Sequence, residues 1–372
     1  MKVTLSPKDL AEAVLNIQRA VSAKSTVPAL EGILLSASGK HLTLSAYDLE
    51  LGMTTKIEAQ VEEEGRAVLS ARLFGDIVRR SPGENLSISV DEKNVAVIHS
   101  GASEFSLIGI PAEEFPEFPS VSDTTQLEIS QSLLKSMIRQ TLFAVSDNDS
   151  KPVHTGSLFE ISGAQLRVVS VDGYRLAMRT EPVGFDGDLK FVVPGKTLSE
   201  VLKLLKDDKE ESETLVISVG RRHVIFQIGN YTVLSSLLEV EFLDYKAAIP
   251  ASGSTEVVVK TRSFIESVER VSLLITDRLK SPVRCIFEEN EIKIFCSTAI
   301  GRANDQLSCQ ITGGRVEIGF NNRYLLDALR NTESDEVRVV LNGPVSPMKV
   351  LPKEGESYLF LVLPVRLKSE EF

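Results

Sequence analysis

The sequence predicts an α+β fold of three tandem repeats, each with two helices packed on antiparallel sheet. Three observations predict it. One block, a helix followed by alternating strands, occurs three times. A second block, a shorter helix followed by strands, occurs after each copy of the first. The corresponding positions Leu86, Leu215 and Val337 are separated by 129 and 122 residues, a nearly constant period along the chain.

The first helix is predicted over residues 6–22, with Leu10, Val14, Ile17 and Val21 on one apolar stripe. Strands follow at 30–36 and 41–45, and the shorter helix at 70–81. Leu86-Ser87-Ile88-Ser89-Val90 alternates apolar and polar residues, the mark of a strand with one buried face. The second copy places helices at 130–146 and 196–206, with strands at 156–161, 165–171 and from Thr214. Asp172-Gly173 lies between two alternating runs and is predicted to be a hairpin turn. The third copy places helices at 261–278 and 321–331, with strands at 283–288, 291–296 and from Glu336. Turn-rich segments, Glu114-Phe115-Pro116-Glu117-Phe118-Pro119 and residues 250–254, set repeat boundaries at 1–120, 121–252 and 253–372. Hairpins and meanders imply antiparallel sheets with two helices on one face.

The chain has 372 residues, 42% of them hydrophobic and 25% charged, as expected of a folded soluble protein with two or three domains. Each third is long enough to bury its own core. Residues 1–5 run directly into an amphipathic pattern, so no signal peptide is predicted. No run of about 18 apolar residues predicts a membrane helix. Cys285, Cys296 and Cys309 are odd in number and all lie in the last third. That pattern fits small buried thiols in a reducing cytoplasm.

The net charge of −11, taken alone, argues against a nucleic-acid partner. The charge is segregated, however. The six helical segments hold 15 basic and eight acidic residues, so they are net +7 and the remainder is −18. Lys135 and Arg139 are four apart. Arg72 and Arg79, Lys196 and Lys203, and Arg323 and Arg330 are seven apart. Each pair therefore shares a helix face. A solvated helix face explains any one such pair; recurrence in all three repeats favours contact with phosphates. The expected DNA-facing set is Lys24, Arg72, Arg79, Arg80, Lys135, Arg139, Lys151, Lys196, Lys203, Lys206, Arg270, Arg323 and Arg330. Nothing predicts base reading or strand stacking. There is no zinc-finger spacing, no Trp, and only six Tyr.

Enzyme motifs are absent or incomplete. Pro194-Gly195-Lys196-Thr197 lacks the glycine a phosphate loop needs five residues before Gly195, where Lys190 stands. The histidines His41, His99, His154 and His223 show no metal-ligand spacing. No catalytic residue, metal or cofactor is expected.

Two motifs lie about 190 residues apart: Ser170-Val171-Asp172-Gly173-Tyr174-Arg175-Leu176-Ala177 and Leu363-Pro364-Val365-Arg366-Leu367. With these, the segments 113–119 and Phe242-Leu243-Asp244-Tyr245, the repeats and the charge split, the whole chain resembles the bacterial DNA polymerase III beta subunit, the sliding clamp family. The resemblance implies two subunits closing head to tail into a ring around duplex DNA, with helices lining the hole and sheets forming the rim. Closure would also pair the end strands and remove exposed sheet edges. The resemblance further implies that the two motifs meet as a pocket for short peptides of polymerase, clamp loader and repair proteins. Gly173, Arg175, Leu176, Val345, Ser346, Pro364, Val365, Arg366 and Leu367 match that pocket. Phe105, Leu273 and Leu274 match apolar contacts between subunits. Val171, Leu243, Ala247 and His154 depart from the usual residues, which bears on peptide preference. The mostly charged residues 368–372 extend past the usual end and are expected to be disordered. A ring or scaffold protein that holds no DNA is the alternative from another class, and an enzyme is the third.

Overall fold

The computed structural model describes residues 1–148, 150–207 and 213–367. The extension at 368–372 lies outside the described residues. Helices α1 (Pro7–Ile17), α2 (Ala71–Arg79), α3 (Gln131–Leu142), α4 (Gly195–Leu204), α5 (Thr261–Val271) and α6 (Asn322–Arg330) occupy the predicted places, two in each repeat. α1 starts where the side chain of Ser6 accepts the Asp9 N–H at 3.4 Å and Pro7 fills the first turn. The first-block helices are shorter than predicted because they tighten into 3-10 turns, Gln18–Ala20 after α1 and Ser272–Leu274 after α5. Val21 consequently leaves the apolar stripe. Its backbone is extended and its side chain half-buried, whereas Leu10, Val14 and Ile17 are buried.

The chain divides into two compact units, Met1–Leu133 with Ser199–Leu237, and Leu134–Leu198 with Leu238–Phe372. The first unit holds a five-stranded sheet in the order Gln60–Glu63, Lys2–Leu5, Leu86–Val90, Val95–Ser100, Ser103–Ile108. It also holds an eight-stranded sheet in which the last strand of the central repeat, Tyr231–Ser236, pairs antiparallel with Leu51–Glu58, Val233 opposite Met53. In the second unit a nine-stranded sheet pairs Arg175–Pro182 with Tyr358–Val362, Ala177 opposite Phe360. A four-stranded sheet follows the order Gly301–Ser308, Glu291–Thr298, Val283–Glu288, Val316–Phe320. The central repeat thus gives half its strands to each unit, and each large sheet runs across a repeat boundary.

Two sheet edges have no partner strand. Ser103–Ile108 ends the five-stranded sheet and Gly301–Ser308 ends the four-stranded one. By position in the repeat, Ser103–Ile108 is the counterpart of Tyr231–Ser236 and Tyr358–Val362. Gly301–Ser308 is the counterpart of Leu51–Glu58 and Arg175–Pro182.

The strand Tyr358–Val362 is buried along its whole length. Tyr358, Phe360 and Val362 join a core with Phe264, Val268, Leu325 and Leu329, while Leu359 and Leu361 join Leu176, Phe242 and Tyr245 on the other face. Burial on both faces explains why its sequence hardly alternates. The Pro-rich boundary is a packed strap rather than a loose linker. The Phe118 ring lies 5.0 Å from Tyr47 and 6.3 Å from Phe115.

Cys285 and Cys296 are buried as expected, whereas Cys309, at the turn between Gly301–Ser308 and Gln310–Gly313, is only half-buried. Burial pushes the Cys285 thiol up to about 12 and that of Cys309 up to about 11. Both stay protonated near neutral pH, and the thiolate is the reactive form. Iodoacetamide at mildly alkaline pH is expected to spare both in the native chain and to label all three cysteines after denaturation, read by mass spectrometry. Rapid native labelling of Cys285 would contradict the burial.

Candidate functional site

The hairpin at Asp172 is built by a carboxylate and a glycine. Asp172 Oδ1 accepts the N–H groups of Tyr174 at 2.8 Å and Arg175 at 3.0 Å, closing the turn. Gly173 has φ +91°, a conformation that favours glycine. The turn predicted from the sequence is therefore present.

The hairpin projects Arg175 inward and sets Leu176 into the floor. Leu176 is 2% exposed and stands opposite Leu361. Arg175 Nε donates to Asp172 Oδ2 at 2.8 Å, and its guanidinium also pairs with Asp327 on α6. The same guanidinium lies 4.7 Å from the Tyr324 ring centroid and 5.5 Å from that of Phe143. Tyr174 stacks on Tyr324 at 5.6 Å. With so many partners, Arg175 is a positioning residue that locks the hairpin to α6 rather than a free charge at the mouth. α6 can serve because Asn321 caps it, accepting the Arg323 N–H at 2.9 Å, and Leu325 and Leu329 anchor its opposite face.

The carboxyl-terminal motif meets this hairpin. Leu363 N–H donates to the Tyr174 carbonyl at 2.9 Å. Pro364 ends the strand, and Val365 then bridges to Gly319, its N–H donating at 2.8 Å. Leu363 is 38% exposed and Val365 39%, so an apolar lip faces solvent. Val345, at 77% the most exposed of the group, and the half-buried Ser346 lie in the turn before Met348, which pairs with Val362. Arg366 is exposed. Leu367 is half-buried, and its side chain packs so closely on Gly319 that a Cβ there would meet it at 2.6 Å. Leu367 therefore fastens the motif to the four-stranded sheet and is not part of the open lip.

The segment Phe242-Leu243-Asp244-Tyr245 walls the apolar floor formed by Val171, Leu176 and Leu361. Tyr245 Oη donates to Glu160 Oε2 at 2.6 Å. Burial and then this bond push the Tyr245 hydroxyl well above its ordinary range. Burial opposes the Glu160 charge, yet the Tyr245 bond and Lys246 hold its carboxyl below the usual range. The His154 ring borders Gly173, its Cε1 3.5 Å from the position a Cβ would take there.

The sequence reading missed Tyr324, Asp327 and Phe143. They lie on other helical segments, and no spacing links them to Arg175. It also missed a cavity of about 700 Å³ beside Val365, bordered by Ile275, Pro282, Asn321 and Tyr324.

The basic set is exposed except for Lys135, which is half-buried. Several members have acidic partners: Arg79 with Asp76 at 2.8 Å, Arg139 with Glu333 at 2.7 Å, Lys203 with Glu200 at 2.8 Å and Lys206 with Glu213 at 3.5 Å. Arg270 meets Asp305, and Arg330 meets Glu269, each at 2.6 Å. Exposed pairs contribute about 0–1 kcal/mol, so a phosphate can displace the carboxylate at small cost. Among the described residues, no ion pair involves Lys24, Arg72, Arg80, Lys151 or Arg323. Phe105 is 40% exposed on its edge strand and Leu273 80% exposed, while Leu274 is half-buried. Among the described residues no group of His, Cys, Asp and Glu could hold a metal, and no helix is long and apolar enough to cross a membrane.

Three repeated helix-and-sheet modules, basic helix faces and an apolar pocket at the carboxyl-terminal motif define a DNA clamp fold. Residues 1–119, 128–244 and 246–366 match the N-terminal, central and C-terminal domains of the DNA polymerase III beta subunit. The beta sliding clamp of Bacillus subtilis is 32% identical over 98% of this chain and all of its own length. That of Staphylococcus epidermidis is 31% identical over 94% of each. The crystal structure of the Bacillus subtilis DNA polymerase sliding clamp superposes with a TM-score of 0.95 at 31% identity, covering 99% of this chain and 100% of that one. The Thermotoga maritima beta subunit gives 0.91 at 28% identity, with the same coverage. The chain belongs to the DNA polymerase III beta subunit family, the bacterial sliding clamps, a non-catalytic subunit of the replicative polymerase.

Proposed function

We propose that two copies of this chain close head to tail into a ring around duplex DNA and tether the replicative polymerase, the clamp loader and repair proteins through short peptides. The three repeats, 1–120, 121–252 and 253–372, are its modules, and the cytoplasm is its site of action.

The unpaired edges carry this reading. Within the chain, the last strand of one repeat's second block pairs with the third strand of the preceding repeat's first block, as in Val233 with Met53 and Phe360 with Ala177. Applied between copies, this rule pairs Ser103–Ile108 of one copy with Gly301–Ser308 of the next. Phe105 then falls opposite Ala303, which stands opposite Cys296 as Ala177 stands opposite Ser170. Side chains follow the same rule. Phe143 packs edge-on against Phe360 at 5.2 Å. Leu273 holds the counterpart position of Phe143, and Phe105 that of Phe360, so Leu273 of one copy meets Phe105 of the next.

The ring holds DNA mainly by topology, aided by single Lys and Arg contacts that weaken steeply with salt. The test is to load the chain onto nicked circular DNA with its clamp loader and ATP, then raise the salt and filter. The expected result is retention on the circle and loss after a single cut linearises it. Equal loss from both forms would overturn the proposal.

A further inference from the structure

We infer that His154 sets the peptide preference of the pocket by recognising an acidic side chain beside the peptide's apolar anchor. The inference rests on the peptide-pocket reading above and concerns only which peptide that pocket prefers. Three observations carry it.

The first is position. His154 ends the 3-10 turn Pro152–His154, whose neighbour Val153 packs against the apolar floor. Backbone bonds at both ends fix the turn: His154 N–H donates to the Lys151 carbonyl at 2.9 Å, and the Ser146 N–H donates to the His154 carbonyl at 2.8 Å. The imidazole therefore stands at a defined place on the rim.

The second is its neighbour. Gly173 presents no side chain, and the ring lies 3.5 Å at Cε1 and 3.9 Å at Nδ1 from the point where a Cβ would stand. A peptide backbone can approach over the glycine and bring a side chain to the ring edge.

The third is unused hydrogen-bonding capacity. Among the described residues neither ring nitrogen has a partner, and the ring is half-buried. The nearby Asp172 carboxylate does not compete, since it accepts from Tyr174, Arg175 N–H and Arg175 Nε. Lys151, in the same turn, adds positive charge to the rim. An imidazole N–H donating to a ligand carboxylate gives a charge-assisted bond, stronger than one to a neutral amide.

The test uses two fluorescein-labelled hexapeptides with the same two leucine anchors, one carrying Glu and the other Gln next to the first anchor. Affinities for the full-length wild type and for H154L are measured by fluorescence anisotropy. The wild type is expected to favour the Glu peptide about tenfold, the discrimination typical of a hydrogen bond to a charged group. H154L should bind both peptides alike and keep its affinity for the Gln peptide, since leucine preserves the apolar wall. A Glu preference that survives in H154L overturns the inference, as does an equal loss of both peptides. Failure of the pocket itself looks different: neither peptide then binds the wild type. Circular dichroism of H154L, unchanged from wild type, separates loss of recognition from misfolding. H154N, which keeps a donor, should restore part of the Glu preference.

Discussion

Replacing Leu273 and Leu274 together with glutamate is expected to convert a dimer into a monomer at micromolar concentration. Leu273 is 80% exposed in the single chain, an unusual position for a leucine that ends a 3-10 turn beside a helix. Its counterpart Phe143 is packed against Phe360. A charge placed against Phe105 of the neighbouring copy loses its water without gaining a partner, and burying such a group costs several kcal/mol. Two such charges on each of two interfaces shift the dimer constant by at least about a thousandfold, since 1.4 kcal/mol is a factor of ten. The fold should survive, because neither residue belongs to the core around Phe264 and Val268. Sedimentation velocity reads the outcome directly. A double variant that remains dimeric, or a wild-type chain that sediments as a monomer, would remove the basis for the ring.

Cutting the chain after Leu363 is expected to abolish peptide binding while the dimer remains. The cut removes Pro364, the exposed Val365 and the Val365–Gly319 bridge, but leaves the buried strand Tyr358–Val362 in place. Each apolar anchor that a peptide buries yields about 1.5–3 kcal/mol. Ordering the peptide offsets part of this, so intact binding should be roughly micromolar. Losing one wall of the groove moves it beyond millimolar. A second cut, after Leu367, retains the lip and its anchor on Gly319 and should bind as the full chain does. Calorimetry on both truncations, with dimer mass measured in parallel, checks the assignment. Wild-type affinity in the shorter chain would place the pocket elsewhere.

The sequence showed what is encoded locally. The six helices were legible because Leu10, Val14 and Ile17, and their counterparts, repeat at helical spacing. The Asp172-Gly173 turn was legible because the carboxylate and the glycine act on adjacent backbone. Long-range pairing left no such trace. Nothing near Tyr231 indicates that its strand joins Leu51–Glu58 across a repeat boundary, so three repeats in sequence became two compact units in space. The role of Arg175 was half legible. Its motif placed it in the pocket, but its commitment to Asp327 and Tyr324 depends on α6, about 150 residues away. The basic faces were counted correctly, but the carboxylates that pair with them, such as Glu333 with Arg139, come from elsewhere in the chain.

The sheets that cross repeat boundaries also fix how the molecule comes apart. Cooperative opening follows hydrogen-bonded ladders rather than gene duplication. The central repeat has no ladder of its own to melt: Thr125–Ser130 and Thr214–Ser236 open with the amino-terminal strands, and Gly156–Pro194 with the carboxyl-terminal ones. A fragment excised at the repeat boundaries would expose two raw strand edges and aggregate. Amide exchange would accordingly sort this protein into two protected blocks, with the dividing line inside its middle third.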